Sequence, residues 1–232
     1  MKSFIVYQAG SFFYSLKWMP PVILYITWLF SQYYYQHLPV ADSHAISAFA
    51  LFPVMVWIAM IVCSLERGSE KLILLSYMRR REHFLYGKLL VIFLAGLALS
   101  AVSFTLPLLL GIFSEPLSIG QAARFLYGHT AISLLGLFIG ALFSATSLGG
   151  KKYSWSGSAF IVCAAVAAPK IAEALPAALQ WTVLTLPPVA AVTDAIKEGI
   201  LAHPAGSAWT VIYITASFLI LRHLFLKREK IN

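Results

Sequence analysis

The residues that could carry chemistry are concentrated in one short segment of this chain. Nine of its 26 Lys, Arg, Asp and Glu residues lie within residues 65–88, "LERGSEKLILLSYMRRREHFLYGK". Acidic and basic groups this close together suit recognition of a charged surface more than bond-breaking chemistry. That surface is either a layer of anionic lipid headgroups or a groove in a protein partner, and the segment alone leaves both open.

Motifs of hydrolytic and nucleotide-binding enzymes are absent from the sequence. Neither HExxH, GxSxG nor GxxxxGK[ST] occurs. The nearest approach to a phosphate loop is "SLGGKKYS" at residues 147–154, which has Lys152 where Ser or Thr would bind magnesium. We therefore expect no enzymatic activity, no cofactor and no metal site in this chain.

Three further polar residues lie in apolar surroundings: His129, Lys170 and Glu173. Ionisable groups at membrane depth are usually functional, so all three are candidates for a substrate path. A structural alternative is equally open. His129 could make a hydrogen bond between packed helices, and Lys170 and Glu173 could pair on one helix face because they are three residues apart.

The composition indicates an integral membrane protein. The chain is 60% hydrophobic and 11% charged, whereas soluble domains contain about 25% charged residues. The backbone in lipid must satisfy its own hydrogen bonds, so the apolar runs should be helices. We predict an all-α membrane protein with a single domain, 1–232, and six transmembrane helices at residues 19–38, 44–64, 86–112, 122–146, 155–174 and 207–226.

Two regions outside these spans are also predicted to be helical. Residues 1–18 should form an elbow helix in the membrane interface. Its apolar face would comprise Ile5, Ala9, Phe12 and Leu16, and its polar face Gln8, Ser11 and Ser15. Residues 175–206 are apolar but contain four prolines, so we expect broken helices at the outer surface before the last span.

The distribution of basic residues predicts the orientation. With six spans and the amino terminus inside, 14 of the 17 Lys and Arg residues are cytoplasmic and only Arg124, Lys170 and Lys197 are outside. Both termini should then face the cytoplasm of a prokaryotic cell, with the chain in its plasma membrane. The net charge of +8 is explained by topology and by contact with anionic lipids, without a nucleic acid as partner.

Within residues 65–88 the pattern predicts a short surface helix between the second and third spans. Gly68 and Ser69 interrupt the preceding span, and Ser69 can cap a helix that begins at Glu70. Leu72 and Leu75 recur at helical spacing and should lie on one apolar face with Tyr77 or Met78. The remaining residues of interest are Ser76, the basic group Arg79, Arg80 and Arg81, and Gly87 with Lys88 at the start of the third span.

In the order of these residues the segment resembles the loop that follows the second span in membrane subunits of type-2 ABC exporters. The matching features are Glu66, Gly68–Ser69, Glu70, the Leu-rich turn "LILLS", Arg79 to Arg81, and Gly87–Lys88. Tyr77–Met78 departs from the Leu-Pro found in many relatives, and the three consecutive arginines make this segment more basic than usual.

The resemblance implies an ATP-driven exporter built from two membrane halves and two copies of a separate ATPase subunit. In that family this segment is the coupling helix, seated in a cleft of the ATPase, and ATP and Mg²⁺ are bound by the partner. The second membrane half is either a copy of this chain or a related one. The aromatic-rich spans favour an amphipathic or apolar substrate such as a peptide, a lipid or a drug.

Two other functions fit the same composition. One is a membrane accessory or immunity protein that acts without an ATPase. The other is a membrane subunit of the haem-exporter type, which is similar in size and number of spans.

Overall fold

Most of the described part of the chain is helical. The computed structural model describes residues 2–66, 69–78, 80–146 and 153–231, and in these ranges the only β-type pairing is an isolated bridge between Leu38 and Phe113. The helices are α1 (Lys2–Tyr14), α2 (Met19–Gln32), α3 (Val40–Cys63), α4 (Ser69–Tyr77), α5 (Arg81–Leu109), α6 (Ile119–Ala145), α7 (Ser154–Ala174), a 3₁₀ helix (Ala177–Thr185), α8 (Val189–Lys197) and α9 (Pro204–Ile231).

Five helices in the described ranges are long and apolar enough to cross a membrane: α3, α5, α6, α7 and α9. This finding indicates a multi-pass membrane protein, as the composition predicts. The first predicted span, 19–38, contains a helix of only 14 residues, α2. That helix is about 21 Å long, shorter than the roughly 30 Å hydrocarbon core. Residues 33–38 leave the helix before Pro39, which precedes the first turn of α3.

The centre of the bundle is the contact between α3 and α6. In the most apolar stretches of α3 and α6, 67% and 72% of the residues are buried. The corresponding shares are 17% for α7 and 22% for α9. Gly136 and Gly140 make this approach possible. A Cβ atom at Gly140 would lie 2.4 Å from the carbonyl oxygen of Val56 and 2.6 Å from Cβ of Ala59. The small residues of α6 therefore serve helix packing within one chain, in agreement with the GxxxG-like spacing.

The proline-rich region before α9 forms two short helices, as the prolines predict. The second of them, α8, packs against α3 and α6 and contributes an apolar face to the core. The buried residues of this face are Val189, Val192, Ala195 and Ile196. Gly128 in α6 provides the space for Ile196, since a Cβ there would lie 2.2 Å from Cδ1 of Ile196. That this region lies in the outer leaflet stays a prediction.

Contacts between distant residues define the two ends of the bundle. The centre of the Phe4 ring in α1 lies 5.2 Å from the centre of the Phe84 ring at the start of α5. The centre of the Phe84 ring lies 6.3 Å from that of Phe225 near the end of α9. Beyond the other end of α5, the N–H of Leu38 donates to the carbonyl of Ile112 at 3.2 Å. We call the end that contains Phe84 the charged end, and the end that contains Ile112 the far end.

The close contact between α3 and α6 leads to a first prediction. Gly140→Ala should lower the free energy of unfolding by about 1–3 kcal/mol, because the new methyl group meets backbone that cannot move aside. Thermal unfolding of the detergent-solubilised protein measures this. Gly10→Ala is the matched control: its Cβ would meet only a Tyr14 ring atom at 3.9 Å, so it should be neutral or slightly stabilising. Equal effects of the two substitutions would contradict the packing argument.

Candidate functional site at the charged end

The centre of the charged end is a buried ion pair between Glu66 and Lys88. Glu66 follows α3 and Lys88 lies in α5, and only 7% and 3% of their surfaces are exposed. The Lys88 ammonium donates to the Glu66 carboxylate and to the carbonyl oxygen of Val62, the latter at 3.0 Å. It also lies 5.0 Å from the centre of the Phe84 ring. The pair thus joins the two helices that flank α4, with both charges neutralised inside the protein.

The amino-terminal helix supplies a third member of this cluster. The Gln8 side-chain amide donates to the second oxygen of the Glu66 carboxylate, and Gln8 is completely buried. Gln8, which the sequence placed on the polar face of α1, therefore lies inside the protein. The buried face consists of Phe4, Gln8 and Phe12, at intervals of four residues. An unpaired carboxylate would be costly there, so Gln8 is drawn inward as a donor to Glu66.

Gly87 allows α1 to lie against α5. A Cβ atom at this position would be 2.6 Å from two carbon atoms of the Phe4 ring. Only glycine leaves room for that ring beside the helix, and the ring contact brings Gln8 within reach of Glu66. The Gly-Lys pair at the start of the third predicted span thus has two separate roles. Gly87 allows α1 to pack against α5, and Lys88 neutralises the Glu66 carboxylate.

Two further contacts connect α4 to its neighbours. The Tyr7 hydroxyl in α1 donates to a carboxylate oxygen of Glu70 at 2.6 Å, and this hydrogen bond raises the pKa of Tyr7. The Lys71 ammonium lies 5.7 Å from the centre of the Phe225 ring in α9. Both contacts lie in the first turn of α4, so the start of the helix is joined to α1 and α9.

The apolar residues of α4 point in two directions. Leu74, Leu75 and Met78 pack against the core, whereas Leu72, Ile73 and Tyr77 are exposed by 59%, 56% and 84%. Leu72 and Leu75 are three residues apart and lie on neighbouring parts of the helix surface, with Leu75 turned toward the core and Leu72 toward the outside. The inward residues Leu74, Leu75 and Met78 recur at the helical spacing of three and four residues, and the opposite side of α4 is exposed. This exposed apolar surface is covered by nothing else in the described chain.

The other predicted residues lie around this surface. Ser69 is the first residue of α4 rather than a cap before it, and the exposed Ser76 donates to the carbonyl of Ile73 at 2.7 Å. Arg80 directly precedes α5 and Arg81 begins it, and both side chains are exposed. Gly68 and Arg79 lie outside the described residues. The described arginines therefore follow the exposed apolar surface directly along the chain.

The sequence did not predict two contacts of α9 at this end, one ion pair and one hydrogen bond. The guanidinium of Arg222 donates to Glu82 in α5 at 2.8 Å, and that of Arg228 donates to the carbonyl of Thr146 after α6 at 2.9 Å. Helical spacing could not reveal them, because each joins residues more than 80 positions apart. The charged end therefore contains contacts from α1, α3, α4, α5, α6 and α9.

The three candidates for a substrate path are not brought together. His129 is 99% buried in α6, where Nε2 lies 3.2 Å from the Ser47 hydroxyl in α3 and Nδ1 lies 3.2 Å from the Phe125 carbonyl. Lys170 pairs with Glu173 at 2.8 Å on the surface of α7. No hydrogen bond between described side chains connects this pair to His129. The structural alternative given above accounts for all of these contacts.

Comparison with protein-family models, with curated proteins and with solved structures gives no match. The resemblance to type-2 ABC exporters therefore stays a prediction that rests on the segment 65–88. What the site itself presents is an exposed apolar surface on a short helix. Helix α4 exposes Leu72, Ile73 and Tyr77 on one side and packs against the core through Leu74, Leu75 and Met78 on the other.

The buried pair leads to a second prediction. Lys88→Met should lower the free energy of unfolding by about 3–5 kcal/mol, because it leaves the Glu66 carboxylate buried without a cation. Combining it with Glu66→Gln should restore most of that loss, and thermal unfolding of the single and double variants measures both effects. The exposed pair is the matched control: Lys170→Met should cost less than about 1 kcal/mol. Additive losses in the double variant would show that the two groups do not depend on each other.

Proposed function

We propose that this chain is the permease subunit of an ATP-driven exporter of the type-2 ABC kind, with α4 as its coupling helix. The observation that carries the proposal is the two-sided character of α4. One side is fixed to the bundle, and the other exposes Leu72, Ile73 and Tyr77. A docking helix that transmits movement needs both properties. The separate ATPase subunit, present in two copies, would bind ATP and Mg²⁺.

Transmission of force requires that α4 cannot move independently of α3 and α5. The ion pair between Glu66 and Lys88 supports this requirement, because it joins the ends of the two helices directly behind α4. A buried, hydrogen-bonded charge pair is costly to separate. When nucleotide binding closes the ATPase pair, displacement of α4 would therefore be passed to both helices. Such a closure biases a membrane cavity between inward-facing and outward-facing states.

The basic residues next to α4 also have a role in docking. The exposed Arg80 and Arg81 lie directly after the apolar surface, so an acidic rim on the ATPase would fix the register of docking. Complementary charge mainly sets specificity and the rate of encounter, while the apolar residues supply the buried contact. The second permease half would carry the same kind of surface for the second ATPase.

The position of the two ends supports six membrane crossings, although within the described ranges only five helices are long and apolar enough to span. Phe4 lies at the charged end, and α3 begins at Val40 near the far end, where Leu38 bonds to Ile112. Residues 15–39 therefore travel the length of the bundle, through α2 and the non-helical residues 33–38. We infer that this segment is the sixth crossing, with the charged end and both termini on the cytoplasmic side of a prokaryotic plasma membrane.

The substrate that fits this proposal is an amphipathic or apolar molecule: a peptide, a lipid or a drug. The described spans expose many aromatic and aliphatic side chains, and the only ion pair enclosed among the described residues lies at the charged end. A passage for simple ions would instead require polar groups along its length.

The topology gives a third prediction. In a chain with Cys63→Ala and Cys163→Ala, a single new thiol reports the side of the membrane on which it lies. Ser3→Cys and Ser76→Cys should react with a membrane-impermeant maleimide only after cells are permeabilised, whereas Tyr34→Cys should react in intact cells. Reaction of positions 3 and 34 from the same side would exclude a crossing by residues 15–39.

The docking surface gives a fourth prediction. Ile73→Glu and Tyr77→Glu should each reduce recovery of the ATPase with the tagged chain from native membranes by at least about tenfold, because each places a charge in an apolar contact. Mass spectrometry that identifies a subunit with nucleotide-binding motifs measures this recovery. Leu201→Glu is the matched control, since Leu201 is 91% exposed near the far end.

Thermal unfolding should show that these substitutions leave the fold intact. If the unmodified chain recruits no ATPase, the exporter proposal fails. Activity that survives deletion of the ATPase would favour the accessory or immunity function instead.

A further inference from the structure

The far end of the bundle is held together by a cluster of aromatic rings around His44 in α3. The centre of the His44 ring lies 4.8 Å from that of Phe125 in α6, 5.4 Å from that of Phe113 and 6.2 Å from that of Phe104 in α5. Phe113 belongs to the connection between α5 and α6. One imidazole ring therefore joins α3 to both of these helices and to the connection between them.

The His44 ring is enclosed without a polar partner. Only 1% of the residue is exposed, and Nε2 is buried with no hydrogen-bond partner among the described residues. A neutral imidazole tolerates this position, but an imidazolium removed from water needs a counter-charge or acceptors. Phenyl rings attract a cation by about 0.5–2 kcal/mol, which is less than the several kcal/mol that burying an ion costs. The closed cluster therefore requires a neutral His44.

The titratable groups that meet the cluster inside the bundle bring no negative charge. His129 in α6 stacks on Phe125 with ring centres 3.7 Å apart, and Nε2 lies 3.2 Å from the Ser47 hydroxyl. The buried phenols of Tyr25 and Tyr33 come from α2 and the residue that follows it, and a phenol is neutral near pH 7. Residues 100–109 of α5 include no titratable side chain.

The charged residues near the cluster lie at the surface. The Lys197 ammonium at the end of α8 lies 3.4 Å from the Asp42 carboxylate, and the Arg124 guanidinium donates to the Lys197 carbonyl at 3.1 Å. Glu115 in the connection and Asp194 in α8 are exposed. Among the described residues, no carboxylate makes an ion pair or hydrogen bond with the His44 ring. A proton taken up there would leave an uncompensated charge.

We propose that His44 makes the far end an acid-sensitive gate, in which uptake of a proton by its ring separates α3 from the aromatic cluster. The charged ring reaches water only by leaving the space between Phe104, Phe113 and Phe125, so protonation and opening are linked. With the far end outside, as proposed above, acid in the medium would open the outer end of the bundle. The response needs neither ATPase nor nucleotide, so its failure would leave the exporter proposal standing.

Two spin labels can measure the opening in the purified full chain. With Cys63→Ala and Cys163→Ala, labels on Ile46→Cys in α3 and Ile119→Cys at the start of α6 lie at exposed positions. A solvated histidine titrates near pH 6.5, so lowering the pH from about 7.5 to about 5 should raise the ratio of open to closed molecules by about thirtyfold. Double electron–electron resonance in nanodiscs should then show a second, longer distance that disappears when the pH is restored. The same distance distribution at both pH values would overturn the proposal.

Substitutions assign the response to His44. His44→Phe keeps a ring of similar size that cannot take up a proton, so this variant should show the closed distance at both pH values. His37→Asn is the matched control, because His37 is exposed near the same end and Asn tolerates its φ of 59°. This control should keep the full response. A response that persists in His44→Phe would overturn the assignment, as would its loss in His37→Asn. The pH comparison on the parent chain does not depend on whether a variant folds.

Discussion

The structure of the charged end follows from the need to neutralise one buried carboxylate, that of Glu66. A carboxylate removed from water requires a cation and hydrogen-bond donors, and here these come from different parts of the chain. Lys88 brings α5, and Gln8 brings α1. The position of α4 follows, because it lies between Glu66 and the start of α5. A local electrostatic requirement thereby becomes a constraint on four helices at once.

The opposite constraint acts in the middle of the bundle, where no charge is involved. There α3 and α6 approach until side chains at Gly136 and Gly140 would overlap with the neighbouring backbone. Lipid supplies no hydrophobic driving force between helices, so close packing of this kind has to provide the attraction. The bundle thus combines an ionic contact at one end with dense contact along its centre. Peripheral helices such as α7 and α9 bury far less of their surface.

The sequence was informative where a feature depends on neighbouring residues. Of the six apolar runs predicted to span the membrane, five form long apolar helices in the described ranges, and the prolines of residues 175–206 predicted the broken helices there. The sequence was not informative where a side chain is surrounded by residues that are distant along the chain. Gln8 looks like a solvent-facing residue until Glu66 is placed beside it. Likewise the outward direction of Leu72 depends on which side of α4 meets the core.

The small contact between Phe4 and Gly87 has a consequence for how the chain is assembled. Residues 81–88 leave the ribosome long after α1, so the surface on which α1 rests does not exist when α1 is made. The same holds for Lys88, without which the Glu66 carboxylate has no cation. Helix α1 therefore reaches its place only after the much later helix α5 has been made. Until α5 has been made, neither of these contacts can hold α1.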